Sequence, residues 1–136
     1  MKTVIIRLMI TVAAITGCMS CSDGDGGDAR DAYIGAFKID EQNTGTDGII
    51  RKDSYNITIV KSAVNKDDVI ITNILNTAES VNATVNGTSF IIPQQTLRDY
   101  GVSGSGRRDG NSLHFSILAT LQGYGQLNFT CDGYKQ

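Results

Sequence analysis

The sequence has no tryptophan, one proline, one histidine and three cysteines, and charged residues make up only 19% of it. Each shortage excludes something. With one histidine, His114, a Ser-His-Asp triad or a zinc site would rest on that residue alone. His114 falls on the outward side of a strand pattern, so it reads as a surface residue. No catalytic residue and no metal ligand is assigned, and the expectation is that the chain is not an enzyme. No Cys-x-x-Cys pair faces another, which argues against zinc, and Cys18-Met19-Ser20-Cys21 lacks the following helix of a redox motif. The formal net charge of -2 gives no electrostatic pull toward nucleic acid. Gly101 to Arg108 is glycine-rich, but it lacks the Lys-Ser/Thr ending of a phosphate loop and no helix follows it. No cofactor is expected. No ten-residue stretch repeats its apolar residues with the helical period.

What is present begins with an address. Lys2 and Arg7 precede or interrupt an apolar run from Val4 to Ile15, too short to cross about 30 Å of hydrocarbon as a stable anchor. Residues 1–17 read as a signal peptide. Ile15-Thr16-Gly17-Cys18 then resembles the bacterial lipoprotein box, an aliphatic residue, a small residue, Gly or Ala, and Cys. That resemblance implies lipid on Cys18; Cys21 is the competing acceptor, with Cys18 where an aliphatic residue is expected. Several acyl chains at about 0.8 kcal/mol per buried carbon make a firm anchor. Residues 18–30, rich in Gly and Asp, read as a flexible tether. Their acidic run resembles the export tag of surface lipoproteins in Bacteroidetes, with a plain solvated linker as the alternative. With Cys18 acylated, Cys21 and Cys131 are a candidate disulfide in an oxidising compartment, and two free thiols are the alternative.

Residues 31–136 read as one β domain. Val, Ile, Thr, Gly and Asn dominate, a strand-and-turn composition. Period-2 alternation marks Ala32 to Ile39, Tyr55 to Lys61, Val81 to Asn86, Leu113 to Leu121 and a last strand through Cys131, and Val69 to Ile74, Thr88 to Ile92 and the glycine-weakened Tyr100 to Gly106 read as further short strands. Asp40 to Asp53 reads as a long polar loop. Asn86-Gly87 between two alternating runs is a strong hairpin signal, and Pro93 is expected to end its strand. Asn73 to Ser80 has room for one short helical turn. Eight short strands joined by turns predict an all-β antiparallel meander closing into a small barrel, with a β-sandwich as the alternative. The expected inward set is Phe37, Ile57, Ile59, Val85, Ile91, Phe115, Ile117, Leu127 and Phe129, enough bulk to fill a small barrel. The adjacent carboxylates Asp40 with Glu41 and Asp67 with Asp68 read as solvated loop charge. Arg98, Arg107 and Arg108 are a candidate anion-binding group.

The run Ser80 to Gly87, then Phe90-Ile91-Ile92-Pro93-Gln94-Gln95, then Val102 to Gly106 resembles small lipoproteins of gut Bacteroidetes. That resemblance implies a lipocalin-like, or calycin-like, β-barrel and carries over no functional residue. The expected role is a non-enzymatic binding or accessory module tethered to the outer membrane, on its periplasmic or cell-surface face. The alternatives are a lipocalin-like carrier of a small apolar ligand and a hydrolase inhibitor. The membrane is the one partner implied; a small-molecule, glycan or protein partner is left open.

Overall fold

The computed structural model describes residues 27–136. The leader, Cys18 and Cys21 lie outside the described residues. A 3-10 turn over Ala29–Tyr33 precedes eight strands: β1 (Gly35–Thr44), β2 (Ile50–Lys61), β3 (Asp68–Thr72), β4 (Ser80–Asn86), β5 (Ser89–Leu97), β6 (Tyr100–Asp109), β7 (Ser112–Leu121) and β8 (Gly125–Lys135). Each strand pairs antiparallel with its neighbour in sequence, and β1 pairs with β8 to close the barrel. Closure removes the two unpaired edges that an open meander would present to other chains. A sandwich is therefore not formed.

The alternation places Phe37, Ile39, Ile57, Ile59, Ile71, Val81, Ala83, Ile92, Val102, Phe115 and Ile117 inside, each buried. One expected core residue is misplaced. Ile91 is 60% exposed, and its neighbours Phe90 and Ile92 point inward instead. Cross-strand register decides this: Val85 faces inward and stands opposite Phe90, so Phe90 shares its face. Leu127 and Phe129 do point inward but stay half-buried, because they lie near one end.

Two loop expectations are also corrected. Asp40 to Asp53 is mostly strand: β1 and β2 pair from Gly35↔Ile59 out to Thr44↔Ile50, leaving only residues 45–49 as a turn. Pro93 does not end β5. The strand continues to Leu97 through a bulge between Ile92 and Gln95, where one residue more on β5 than on β6 is accommodated. A residue without an N–H is tolerated in such an unpaired position. The extra residue also reverses the alternation, so that Leu97, an odd-numbered residue, is buried like the even-numbered Phe90 and Ile92. The Gln95 side chain then substitutes for a strand. Its Oε1 accepts from the Asn82 backbone N–H and its Nε2 donates to the Asn82 carbonyl, both at 2.9 Å.

The two ends of the barrel differ. At one end lie the β2–β3, β4–β5 and β6–β7 turns, and the 3-10 turn Ala29–Tyr33 closes it. Tyr33 is buried there, and its hydroxyl donates to the Gly87 carbonyl at 3.1 Å. The Arg108 guanidinium covers the Tyr33 ring at 5.7 Å from its centroid. Arg30 donates to the carbonyls of Ser62, Asn65 and Asp68, and Lys61 pairs with Asp28 and Asp31. Asp28, between Arg30 and Lys61, is held well below the usual carboxylate range by their hydrogen bonds. The chain thus enters the barrel at this closed end.

Candidate functional site in the open end of the barrel

The opposite end carries the β1–β2, β3–β4, β5–β6 and β7–β8 connections. Its interior is not filled. A cavity of about 150 Å³ is lined by Leu75, Thr77, Leu97, Tyr100, Ala119, Leu127 and Phe129. Strand alternation aims Leu97, Tyr100, Ala119, Leu127 and Phe129 into it, while Leu75 and Thr77 come from the β3–β4 connection. A broader groove on the outer face of β1, β2 and β8 is lined by Asp40, Gln42, Lys52, Ser54, Thr130 and Asp132 among others, and it is open and polar. The end cavity is the better candidate, because enclosure and apolar walls are what a small ligand gains from leaving water.

The β3–β4 connection is built unlike an ordinary loop. It holds a 3-10 turn at Ile74–Asn76, and Asn73, Leu75, Asn76 and Ala78 all have left-handed φ of 67°, 52°, 53° and 61°. Such backbone costs of order 1 kcal/mol or more at each residue with a side chain, so surrounding contacts must hold it. They are visible. Asn73 donates from Nδ2 to the Asn56 carbonyl at 2.8 Å and accepts at Oδ1 from the Ala78 N–H at 2.8 Å. Asn76 Nδ2 donates to Asp53 at 3.2 Å. Arg98, itself at φ 55°, donates to the Thr77 carbonyl at 2.7 Å and pairs with Glu79 at 3.3 Å. Ile74 is buried and pins the segment from inside.

One layer deeper sits the polar exception in an apolar interior. Glu41 is 7% exposed, and its Oε2 accepts a 2.5 Å hydrogen bond from the Tyr55 hydroxyl. Cys131 stands directly opposite Glu41 on β8 and is buried. Burial pushes the Glu41 carboxyl above its usual value; the Tyr55 hydrogen bond opposes this and the charge of nearby Asp53 adds to it. Burial also raises Tyr55, and it pushes the Cys131 thiol up to about 12, with Glu41 contributing. The Leu75 backbone lies against the Tyr55 hydroxyl. Phe129 pairs with Asn43, two residues from Glu41 on β1, so Phe129 and Glu41 are diagonal neighbours on the inner face. The cavity and the polar pair therefore share a wall. Glu41 was read from the sequence as solvated loop charge; the signal that finds it is the continuation of Phe37 and Ile39 by one more inward step.

The other sequence candidates fall elsewhere. Arg98 braces the β3–β4 connection at the open end, whereas Arg107 and Arg108 lie near the far end of β6, on opposite faces. Arg98 sits in the β5–β6 turn, and Arg107 lies seven strand steps beyond Tyr100 on β6, roughly 23 Å at about 3.3 Å per residue, so the three do not converge. Cys131 points into the barrel, and its candidate partner Cys21 is outside the described residues. His114 is on the outer face, with Nδ1 2.7 Å from Asp132. Among the described residues no group of three or more His, Cys, Asp or Glu is placed to hold a metal ion. Gly101 to Arg108 is part of β6, where Gly104 and Gly106 face inward.

No family model matches this chain, and no curated protein is similar to it. Among solved structures, a protein of unknown function from the DUF3598 family of Nostoc punctiforme matches with a TM-score of 0.55 at 10% identity. The match covers 78% of this chain and 48% of that one, so this chain spans about half the length of the structure it matches. At that identity the likeness is one of fold.

Proposed function

We propose that the protein is a non-enzymatic binding module, held at the outer membrane by lipid on Cys18, that takes a small apolar group into the open end of its barrel. The observation that carries the binding role is the partly open, mostly apolar cavity of about 150 Å³ at this end of the barrel. That size suits one aromatic ring or a short branched chain, since an apolar cavity of about 150 Å³ accommodates benzene. It is too small for a carrier that swallows a whole lipid. The address rests on the leader and on the resemblance to small Bacteroidetes lipoproteins. A non-enzymatic role is supported by the buried groups beside the cavity: a thiol pushed up to about 12 is the reverse of an activated nucleophile.

A protein partner such as a hydrolase is the second reading. Ile49 and Ile50 on the β1–β2 hairpin are each 57% exposed and Tyr124 on the β7–β8 hairpin is 79% exposed, apolar groups at the rim of the same end.

Calorimetric titration with toluene tests the binding role. Saturable binding is expected for the native chain and its loss is expected for Leu127→Trp, which fills the cavity from a half-exposed position; absence of binding to the native chain refutes it. Labelling with a radioactive fatty acid, lost in Cys18→Ser, tests the anchor, and protease treatment of intact cells tells the periplasmic face from the cell surface.

A further inference from the structure

The end cavity adjoins a second one. A groove of about 590 Å³ on the outer wall of β5, β6 and β7 is lined by Gln94, Thr96, Asp99, Tyr100, Thr120 and Gln122 among others. Tyr100 lines both this groove and the end cavity. Residues adjacent in the chain divide between them: Leu97 and Ala119 line the cavity, Thr96 and Thr120 the groove. Alone, the end cavity is smaller than the roughly 300–1,000 Å³ of most ligand clefts, whereas the groove falls within that range. Between the two threonines lies Gly101, directly opposite Thr96 on β5 and Thr120 on β7. Folding does not require glycine there. Its φ is not left-handed. A Cβ on it would meet only the Gln94 Nε2 at 3.6 Å and the Thr120 carbonyl oxygen at 3.8 Å, both ordinary contacts. Gly104 and Gly106 on the same strand differ, because a Cβ would run into the Ser116 carbonyl oxygen at the first and into the Phe115 Cβ at the second. Glycine inside a strand weakens it, and one that neither φ nor crowding requires suits a place where a ligand approaches the backbone.

Resting on the binding role proposed above, we propose that the end cavity and this groove are two halves of one site, and that its ligand is a small apolar group carried on a neutral polyhydroxylated body. The apolar group enters the cavity, and the polar body lies across Gly101. The chemistry of the groove selects that body. Gln94, Thr96, Thr120 and Gln122 each both donate and accept hydrogen bonds, as the hydroxyls of a sugar do. Asp99 accepts from hydroxyls and repels an anion, and no lysine or arginine is among the lining residues of either half. Tyr100, 36% exposed at the junction, and Leu121 offer apolar surface to the C–H face of a sugar ring.

The experiment compares toluene, benzyl alcohol and benzyl β-D-glucopyranoside, titrated calorimetrically into the native chain at neutral pH. The glucoside is expected to bind about tenfold or more tightly than benzyl alcohol, the gain that one or two net hydrogen bonds supply. Gly101→Val places a branched side chain, well suited to a strand, on the floor of the groove. It is expected to remove the glucoside's advantage and leave toluene binding unchanged. Equal affinity for the glucoside and benzyl alcohol overturns the two-part site while leaving the apolar cavity standing, as does a glucoside advantage that survives in a folded Gly101→Val. Binding of none of the three overturns the cavity as a site and the proposal with it. The ligand comparison in the native chain stands whether or not the variant folds.

Discussion

Removing the Tyr55 hydroxyl separates the roles of burial and hydrogen bonding at the heart of the open end. Tyr55→Phe keeps the ring, which is buried at 7% exposure, and deletes the 2.5 Å donor to Glu41. A hydrogen bond to a charged acceptor contributes about 1.5–3 kcal/mol, one to a neutral acceptor about 0.5–1.5 kcal/mol. The cost therefore depends on the protonation of Glu41. Its folded-state value is raised above the ordinary 4.5 by burial, so Glu41 contributes stability that is fully present below that pH and is lost as pH rises through the folded value. The Tyr55 hydrogen bond works against that rise. Without it the carboxyl holds its proton to higher pH, and the loss of stability extends further. Urea unfolding across a pH series from 4 upward reads both effects. Tyr55→Phe is expected to cost about 0.5–1.5 kcal/mol where Glu41 is neutral, at the acidic end, and the cost is expected to rise with pH toward about 1.5–3 kcal/mol as Glu41 loses its proton. In a Glu41→Gln background the cost is expected to be the same throughout the series. A cost independent of pH in the Glu41 chain refutes the assignment of Glu41 as the titrating partner; a cost near zero refutes the hydrogen bond.

Other consequences follow from single side chains. Raising the Cys131 thiol from 9.0 to about 12 lowers its thiolate fraction about 1,000-fold at pH 8. With Cys18 and Cys21 replaced by serine, disulfide-exchange labelling is expected to be slowed by at least that factor in the native chain relative to the chain in urea. Gly106→Ala places a Cβ 2.3 Å from the Phe115 Cβ and 2.7 Å from the His114 carbonyl oxygen, an overlap with backbone that cannot relax. It is expected to cost about 1–3 kcal/mol in urea unfolding, as overpacking does. Gln95→Ala leaves both backbone groups of Asn82 without their partner, and hydrogen exchange at the Asn82 amide is expected to accelerate more than at its neighbours.

Most of the barrel is legible in the residues. Turns announce themselves where backbone needs left-handed φ, as at Gly110 (57°) and Gly123 (85°), and the period of two marks which residues go inside. At the β4–β5 hairpin the left-handed φ falls on Gly87 (61°), with Asn86 paired to Ser89, so the turn residues are Gly87 and Thr88, one later than expected. Phe90-Ile91-Ile92 defeats simple periodicity, because both faces are apolar. The two-residue hairpin resolves it, since inward Val85 can only oppose an even-numbered residue. The paired strands across residues 40–53 are hidden because near the open end both faces of β1 and β2 meet water, and polar residues then occupy positions that pairing alone makes strand. Glu41 sits among them and looks like its solvated neighbours. The bracing of residues 73–79 by Asn56, Asp53 and Arg98 joins positions distant in sequence, which no local pattern reveals.

The central claim is that the open end of this barrel is a binding site, and amide and methyl chemical-shift mapping during a titration with toluene tests it most directly. Saturable shifts concentrated on Leu75, Thr77, Leu97, Tyr100, Ala119, Leu127 and Phe129 are the result this account predicts. Shifts confined to the outer groove at Asp40, Ser54 and Asp132, or no saturable shifts at all, would contradict it.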